Sequence, residues 1–579
     1  MTNDYLIKTK FRTQAIIVTV SVLTVTIGAF IDGCFIGNYM GADSMAAFGY
    51  ALPVVVMLVS ALGGTFSSGC TACCSVHLGV GDTKKINANF TAGCLLSAVF
   101  GLAFMLLFVL YSEQLAAIVG AKDHILPQTA DYIRGIGLGA FPMIFAQVLM
   151  TYTRLDDDAG LNIVSVLVLA VLNIILDFIF IAQLHMGLFG VGLATSISYA
   201  AATAVGLSHF LKKRNTLHLS QNKAILPEIK NILFVGFPTL LNGVCLAVKW
   251  LILNNLLFVV GGVIAVSALS VQNNVNQFLQ PVILGIGTTL SVMSGIFFGE
   301  GDVGAIQRVF KISMKSGVII CSFIGAALFM LAPVIVGFML NDGGAAQREA
   351  IRSLQLFAFS LPISIVVINL LFYYQTIKNF SMANTVSITH ALAGPVVTAL
   401  ILAHILGTDG IWIAFTAGEA VALLCVMIQI KVKNKEWPLS LNRFLLLPVD
   451  YVTKNRHVLD ISIKNNITEV MDLSTRIAEF CGQYSKDSKK IDRLSLAIEE
   501  IAGNIVTHGF KHPGDRFIDI RIVMEGEDFI FRVRDNGVRF NPLQYETSGN
   551  ALGIQIIKGI AKSVDYRNTL GFNNLTVIL

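Results

Sequence analysis

The chain alternates long apolar runs with short polar connections through about residue 430. The first run, AIIVTVSVLTVTIGAFIDGCFIGNYMG at 15–41, is long enough to cross a bilayer, which takes about 20 apolar residues in a helix. Further runs lie at about 46–76, 88–112, 128–152, 160–184, 190–211, 231–258, 264–297, 312–340, 350–377, 383–406 and 409–430. The pattern therefore predicts twelve transmembrane helices.

Composition places the chain in the same class. The sequence is 55% hydrophobic and 13% charged, with a mean hydropathy of +0.72, whereas soluble domains carry about 25% charged residues. The net charge of +5 does not imply nucleic acid, because most basic residues sit in short loops where membrane topology explains them. Clusters such as 212–214 and 431–435 all fall on one side, so the positive-inside rule predicts that both termini are cytoplasmic. We expect a multi-pass protein of a plasma membrane of bacterial type.

The twelve predicted helices form two copies of six. Gly79, Gly81 and Asp82 recur 220 residues later as Gly299, Gly301 and Asp302. An even number of helices per copy makes the repeats parallel, with a central cavity between two lobes. We therefore expect a cytoplasmic segment at 1–14, an N-lobe at 15–215, a C-lobe at 216–435 and a cytoplasmic domain at 436–579. This arrangement suits alternating access better than a channel.

Two acids stand inside the predicted helices of the N-lobe. Asp32 interrupts the first apolar run, and Asp177 follows Asn173 by one helical turn, so both share a face. A carboxylate at mid-membrane costs roughly 2.5–3.5 kcal/mol on insertion scales, which makes it a functional candidate. With the hydroxyl of Thr195 these oxygens could bind Na⁺ or a proton. The alternatives are that Asp32 reaches headgroup water and that Asn173 and Asp177 only join helices.

The C-lobe departs from this pattern. No acid mirrors Asp32; Lys249 lies in the corresponding helix and could pair with an acid or line the cavity. The next helix carries a polar stripe that we expect to line the cavity, formed by Gln272, Asn273, Asn276 and Gln280. Three other ionisable residues lie in the predicted helices of this lobe, namely Glu419, His390 and His404. Each of them, taken alone, is better explained as a packed polar group than as part of a proton relay.

Three tracts in the first 432 residues resemble one transporter family. The tracts IDGCFIGNYMGADSMAAFGYALP, LGVGDTKKIN and NIILDFIF are similar to those of the multidrug and toxic compound extrusion (MATE) family, in particular its bacterial multidrug exporters. The resemblance implies export of amphipathic, often cationic compounds, coupled to H⁺ or Na⁺. It also implies a cation site in the N-lobe at the matching positions, Asp32, Asn173, Asp177 and Thr195. Distant relatives flip lipid-linked precursors, so a flippase remains an alternative.

After residue 436 the composition changes to that of a soluble domain, and the predicted strands and helices make it an α/β domain. The pattern predicts strands at 458–464, 516–525, 528–535 and 574–579 and helices at 467–482, 488–508 and 551–563. Alternating polar and apolar residues around Gly526 indicate a β-hairpin. At this length the domain can bury its own core.

Three motifs in this domain point to a nucleotide. Glu500 and Asn504 lie one turn apart, where an amide can ligate Mg²⁺ and a carboxylate can act as a base. Asp535 ends a strand before Gly537 in RDNG and could accept a hydrogen bond from an exocyclic amine. The tract SGNALGIQIIK leads from glycines into a helix N-terminus, which suits a phosphate.

Taken in this order, the motifs resemble the GHKL ATPase fold and its anti-sigma-factor serine kinases. The resemblance implies that Glu500 is the catalytic base and that Asn504 holds Mg²⁺. It further implies that Asp535 and Gly537 recognise adenine, and that the phosphate loop is shaped by Gly549 and Gly553. Ala551 stands between these two where the family usually has glycine, which could crowd the phosphates.

Three functions follow from these expectations. The first is a cation-coupled multidrug exporter with an ATP-binding regulatory domain that does not power transport. The second is a membrane-bound signalling protein whose tail phosphorylates a serine on an antagonist-type (STAS-like) partner and so frees a sigma factor. The third is a flippase of lipid-linked precursors.

Overall fold

The computed structural model describes residues 4–56, 61–213, 215–340, 344–448, 456–510, 516–525, 528–539, 541, 559 and 561–579. The chain divides into two compact units, one of residues 11–446 and the other of residues 1–10 together with 447–579. Within the second unit the rings of Tyr5 and Phe517 lie 5.0 Å apart, so the first ten residues belong with the C-terminal domain.

The described part of the first unit consists of helices joined by loops. The helices of its first half are α1 (Tyr5–Met40), α2 (Ala42–Val56), α3 (Gly64–Val80), α4 (Thr83–Leu110), α5 (Ser112–Ile118), α6 (Ile125–Gly137), α7 (Ala140–Leu155), α8 (Ala159–Asp177) and α9 (Gly187–Leu207). Those of its second half are α10 (Ile225–Gly299), α11 (Val303–Met339), α12 (Ala345–Ala358), α13 (Leu361–Thr376), α14 (Phe380–Ile388), α15 (Gly394–Leu406) and α16 (Thr408–Asn434).

Each predicted apolar run has a helical counterpart. Among the described residues eight helices are long and apolar enough to span a membrane, or ten when the bent pairs α6–α7 (45°) and α12–α13 (52°) each count as one span. The helix α10 covers two of the predicted runs, because Gly262 breaks it with φ 64° and ψ −157°. The protein is therefore a multi-pass membrane protein with the predicted helical architecture.

The two repeats meet at their equivalent glycines. A methyl group on Gly79 would lie 2.9 Å from the Cα of Gly299, and one on Gly299 would lie 2.9 Å from the Cα of Gly79. The repeated aspartates also act alike: Asp82 caps α4 by accepting the backbone N–H of Lys85 (3.1 Å), and Asp302 caps α11 at Ala305 (2.9 Å). Glycine is needed at both positions because the helices α3 and α10 touch backbone to backbone.

The described part of the C-terminal domain contains a five-stranded antiparallel sheet and two long helices. Its strands are β1 (Arg456–Lys464), β2 (Phe517–Glu525), β3 (Asp528–Asp535), β4 (Ser563–Thr569) and β5 (Phe572–Ile578), in the order β1-β2-β3-β5-β4. The helices α17 (Ile467–Gly482) and α18 (Ser488–His508) bury their apolar sides, including Leu473 and Leu494, in one core with the sheet.

Alternation explains the strands that the sequence predicts. Ile518, Ile520 and Ile522 on β2 are buried while the residues between them are partly exposed. Strand β4 was not predicted, because SVDYRNT is mostly polar and its apolar alternation is limited to Val564 and Tyr566. The Gly526 turn and most of the predicted helix 551–563 lie outside the described residues, and Ser563 at its end already begins β4.

Candidate ion and nucleotide sites

The two acids of the N-lobe come together in the fold. Asp32 lies in α1 and Asp177 is the last residue of α8; their side chains are 5% and 0% exposed. The two carboxyl groups lie within hydrogen-bonding reach of each other. Asn173 donates its amide N–H to Oδ2 of Asp177 (3.0 Å), as the i, i+4 spacing predicted. These three residues therefore form one buried polar cluster.

This cluster has unused acceptors. Among the described residues, no donor reaches Oδ1 of Asp32 or Oδ1 of Asp177, although both atoms are buried. Two buried carboxylates facing each other cannot both stay ionised without a positive charge between them. The arrangement thus fits a bound proton or a small cation. Directly after Asp177 the helix widens into a π-helical turn (Phe178–Gln183), a feature that is frequent at functional sites.

Thr195 is buried on the neighbouring helix α9, and its hydroxyl donates to the carbonyl of Val191 (3.2 Å). Its lone pairs remain available as acceptors. Two tyrosines that the sequence analysis did not single out, Tyr132 and Tyr199, are buried within electrostatic range of Asp32. Tyr199 follows Thr195 by one helical turn, a spacing that could have indicated it.

The polar stripe of the C-lobe lies in α10, beyond the break at Gly262. Gln272 is buried, and neither its amide nitrogen nor its oxygen has a hydrogen-bond partner among the described residues. Gln280 donates weakly to Asn276 (3.4 Å), and Asn273 is half-buried. The stripe as cavity lining stays a prediction.

The ionisable residues of the C-lobe are not isolated from one another. His390 Nδ1 and Glu419 Oε2 lie 2.8 Å apart in a buried pair. Lys249 is buried with its ammonium over the ring of Trp250, 5.1 Å from the centroid. His404 is exposed. No spacing in the sequence links His390 to Glu419, so their pairing was not predicted.

In the C-terminal domain, Glu500 and Asn504 lie on one side of α18. The amide of Asn504 donates to Oε1 of Glu500 (3.2 Å), and both side chains are half-buried. No group of three or more His, Cys, Asp or Glu side chains that could hold a metal occurs among the described residues. Mg²⁺ bound with a nucleotide usually takes one or two protein oxygens and completes its shell with water and phosphate oxygens.

Asp535, at the end of β3, is held by a network of hydrogen bonds. Its Oδ1 accepts the backbone N–H of Gly537 (2.7 Å) and the amide of Asn573 (2.9 Å). Burial raises the pKa of Asp535 above its ordinary value, and these two hydrogen bonds oppose that rise. No described residue donates to Oδ2, so this oxygen can accept a hydrogen bond from a ligand amine.

The loop after Asp535 packs closely. A methyl group on Gly537 would lie 2.9 Å from Oδ1 of Asp535 and would clash with the carbonyl oxygen of Gly509. That same carbonyl accepts the N–H of Val538 (2.7 Å). Asn573 and Gly509 are thus supporting residues that the sequence analysis missed. The predicted phosphate-loop positions Gly549, Ala551 and Gly553 lie outside the described residues.

Comparison with known families assigns the class of each unit. The MatE family model matches residues 18–179 and 238–400, so the chain belongs to the MATE family of membrane transporters. The model of the histidine kinase-like ATPase domain matches residues 463–579. Transporters of the first family are ion-coupled and handle small substrates, and GHKL-like domains of the second bind ATP. Both predicted resemblances are confirmed at this level.

Individual relatives are exporters. The chain is 24% identical over 401 residues to the multidrug export protein MepA of Staphylococcus saprophyticus, which covers 68% of this chain and 87% of that protein. MepA of Staphylococcus aureus strain NCTC 8325 is 24% identical over 413 residues, covering 69% and 88%.

Solved structures confirm the fold. An outward-facing multidrug resistance MATE transporter of the MOP superfamily has 23% identity and a TM-score of 0.68 over 74% of this chain and 97% of that one. The Vibrio cholerae MATE transporter VcmN has 18% identity and a TM-score of 0.69 over 75% and 98%.

Proposed function

We propose that the chain exports amphipathic, often cationic compounds in exchange for H⁺ or Na⁺ bound at Asp32 and Asp177. The observation that supports this proposal is the buried carboxyl pair with its two unpartnered oxygens. Two unit charges 4 Å apart repel by about 4 kcal/mol at an effective dielectric constant of 20. A single proton or cation removes this repulsion, so occupancy of the site can bias which lobe arrangement the protein adopts.

Asn173 gives the pair its asymmetry. Its amide donates to Oδ2 of Asp177, which leaves Oδ1 of the same carboxyl group to face the bound ion. A neutral amide cannot replace a carboxylate as a proton acceptor. We therefore expect substitution of either aspartate by asparagine to abolish coupling. Thr195, on the adjoining helix, would add a neutral oxygen to a cation.

Export from everted vesicles tests the proposal. Ethidium transport is followed under an imposed pH gradient or an imposed Na⁺ gradient, with the Asp32→Asn and Asp177→Asn variants. Glu113→Gln, which changes an exposed acid of the same lobe, is the matched control. We expect at least a tenfold loss in both aspartate variants and none in the control; normal export by Asp32→Asn would refute the coupling role. The gradient that drives wild-type export identifies the ion.

For the C-terminal domain we infer an ATP-binding regulatory role. In this proposal the free oxygen of Asp535 accepts the adenine amine, Asn504 holds Mg²⁺ and Glu500 orients or activates the attacking group. The support is the held geometry of Asp535, since Gly537 and Asn573 fix one oxygen and leave the other. Mg²⁺-ATP binding to the detergent-solubilised full chain should be lost in Asp535→Ala and kept in Asp492→Asn, an exposed acid on α18.

Phosphorylation of a STAS-like antagonist protein is the second candidate for this domain. It is supported by the pairing of Glu500 with Asn504, because a base next to a Mg²⁺ ligand suits phosphoryl transfer. Labelled ATP and purified wild-type chain should transfer phosphate to such a partner, and Glu500→Gln should not. If Glu500→Gln leaves export unchanged, transport is powered by the ion gradient alone.

A further inference from the structure

The C-lobe repeats the placement of the N-lobe acid cluster with different charges. Phe415 and Glu419 on α16 stand 220 residues after Thr195 and Tyr199 on α9. Lys249 lies one turn before Ile252, the counterpart of Asp32. His390 lies in the π-helical turn Thr389–Ala393 between α14 and α15, in the helix that corresponds to α8. Equivalent helices in the two lobes therefore bring ionisable groups together.

The ammonium of Lys249 lies beside two aromatic rings. The residue is 7% exposed, and its Nζ lies 5.1 Å from the ring centroid of Trp250 and 5.9 Å from that of Phe415. Over the described part of the chain, Lys249 makes no hydrogen bond, and no carboxylate lies within 4.0 Å of Nζ. Among the described residues, the groups nearest to this charge are two aromatic faces.

The acid that could pair with Lys249 is engaged elsewhere. Glu419 lies within electrostatic range of Lys249, but its Oε2 is 2.8 Å from Nδ1 of His390. An ammonium that is largely buried without an acceptor has lost hydration that two rings do not restore. A ligand that carries an anionic acceptor would recover it, and the rings of Trp250 and Phe415, 6.2 Å apart, would pack on its apolar body.

We propose that Lys249, Trp250 and Phe415 form a site for a carboxylate or phosphate group attached to an aromatic or apolar body. The acceptor would come from an exported acidic compound or from an acidic lipid headgroup. As an export site it rests on the proposed transport function, which it extends from cationic to acidic and zwitterionic compounds. In this site the ammonium binds the anionic group while His390 keeps Glu419 from competing for Lys249.

Binding without any gradient tests the site. Radiolabelled 2-naphthoate is titrated onto the detergent-solubilised full chain, with 2-naphthamide as the neutral probe of the same shape. We expect Lys249→Met to weaken naphthoate binding at least tenfold and to leave naphthamide binding unchanged. Lys249→Arg, which keeps the charge, should retain binding, and Lys230→Met, an exposed lysine on α10, should match the wild type. Equal naphthoate affinity in Lys249→Met and wild type would overturn the proposal.

Nanodiscs distinguish the two sources of the acceptor. In phosphatidylcholine discs naphthoate should bind as in detergent. If phosphatidylglycerol discs suppress this binding in the wild type, and phosphatidylglycerol itself is retained by the wild type but not by Lys249→Met, the occupant is the lipid. Export of the cation tetraphenylphosphonium by Lys249→Met tests folding and the coupling at Asp32 independently of the anion site. Failure of that export in every variant, with naphthoate binding intact, would refute the exporter and leave the anion site standing.

Discussion

The substitution Gly79→Ala should open the lobes where α3 and α10 meet. Its methyl group would lie 2.9 Å from the Cα of Gly299 and would press on the carbonyl of Ile296, so backbone rather than a flexible side chain must move. Overpacking of this kind costs about 1–3 kcal/mol. The penalty applies only while the helices touch, and it therefore shifts the equilibrium toward the separated state by about 5- to 150-fold.

Cys73 reports this separation. Its thiol is fully buried on α3 in a cluster with Ala72 and Val235, and Val235 belongs to α10 in the other lobe. Labelling by N-ethylmaleimide, quantified on the Cys73 peptide by mass spectrometry, should be slow in the wild type. In Gly79→Ala the labelling rate should rise in proportion to the open population, at least fivefold.

A second glycine provides the control. A methyl group on Gly28 in α1 would meet no atom within 4 Å, so Gly28→Ala should label at the wild-type rate. Thermal unfolding of each variant in detergent separates lobe opening from loss of fold. A wild-type labelling rate in a folded Gly79→Ala protein would refute the claim that this contact holds the lobes closed.

Further predictions concern the helix cap and the nucleotide site. The backbone N–H of Lys85 lowers the pKa of Asp82, so the cap stabilises above the ordinary carboxyl pKa and is lost as pH falls through the lowered value. Asp82→Ala should lower the free energy of unfolding in detergent by about 0.5–2 kcal/mol at pH 7 and by less at acid pH. Asp82→Asn should lower it much less than Asp82→Ala does. An equal loss for Asp82→Ala at both pH values would contradict this role of the cap. Asn573→Ala should weaken ATP binding, measured by calorimetry, because it frees Asp535 to rotate. The folded Asn574→Ala variant should bind ATP as the wild type does. Equal weakening in both variants would contradict a positioning role for Asn573.

Local sequence patterns predicted most of the fold. Apolar runs predicted every helical span, and the 220-residue repeat predicted equivalent positions such as Gly79 and Gly299, which the structure brings into contact. The spacing of Asn173 and Asp177 predicted their 3.0 Å hydrogen bond because one helical turn determines it. Information of this kind is contained within a few residues or within a repeat.

Contacts between distant segments were beyond that kind of reasoning. His390 and Glu419 pair across 29 residues, and Asp535 depends on Asn573 38 residues later, on a neighbouring strand. Neither partner has a spacing that indicates the other. Strand β4 was missed for a different reason, since its residues are mostly polar and its pairing with β5 supplies the order that its sequence does not.

The two lobes show why a repeated fold need not repeat its chemistry. Equivalent helices place two acids in the N-lobe, and a lysine beside a His–Glu pair in the C-lobe. Two facing acids favour uptake of a positive ion, whereas an unpaired ammonium favours an anionic ligand. If both proposals hold, an acidic or zwitterionic compound would find its anionic group bound in the C-lobe while the coupling ion acts in the N-lobe. The exported compound and the coupling ion would then not compete for one site. Lys249→Met should lower the export of acidic compounds and leave the export of cations unchanged, whereas Asp32→Asn should abolish the export of both kinds of compound.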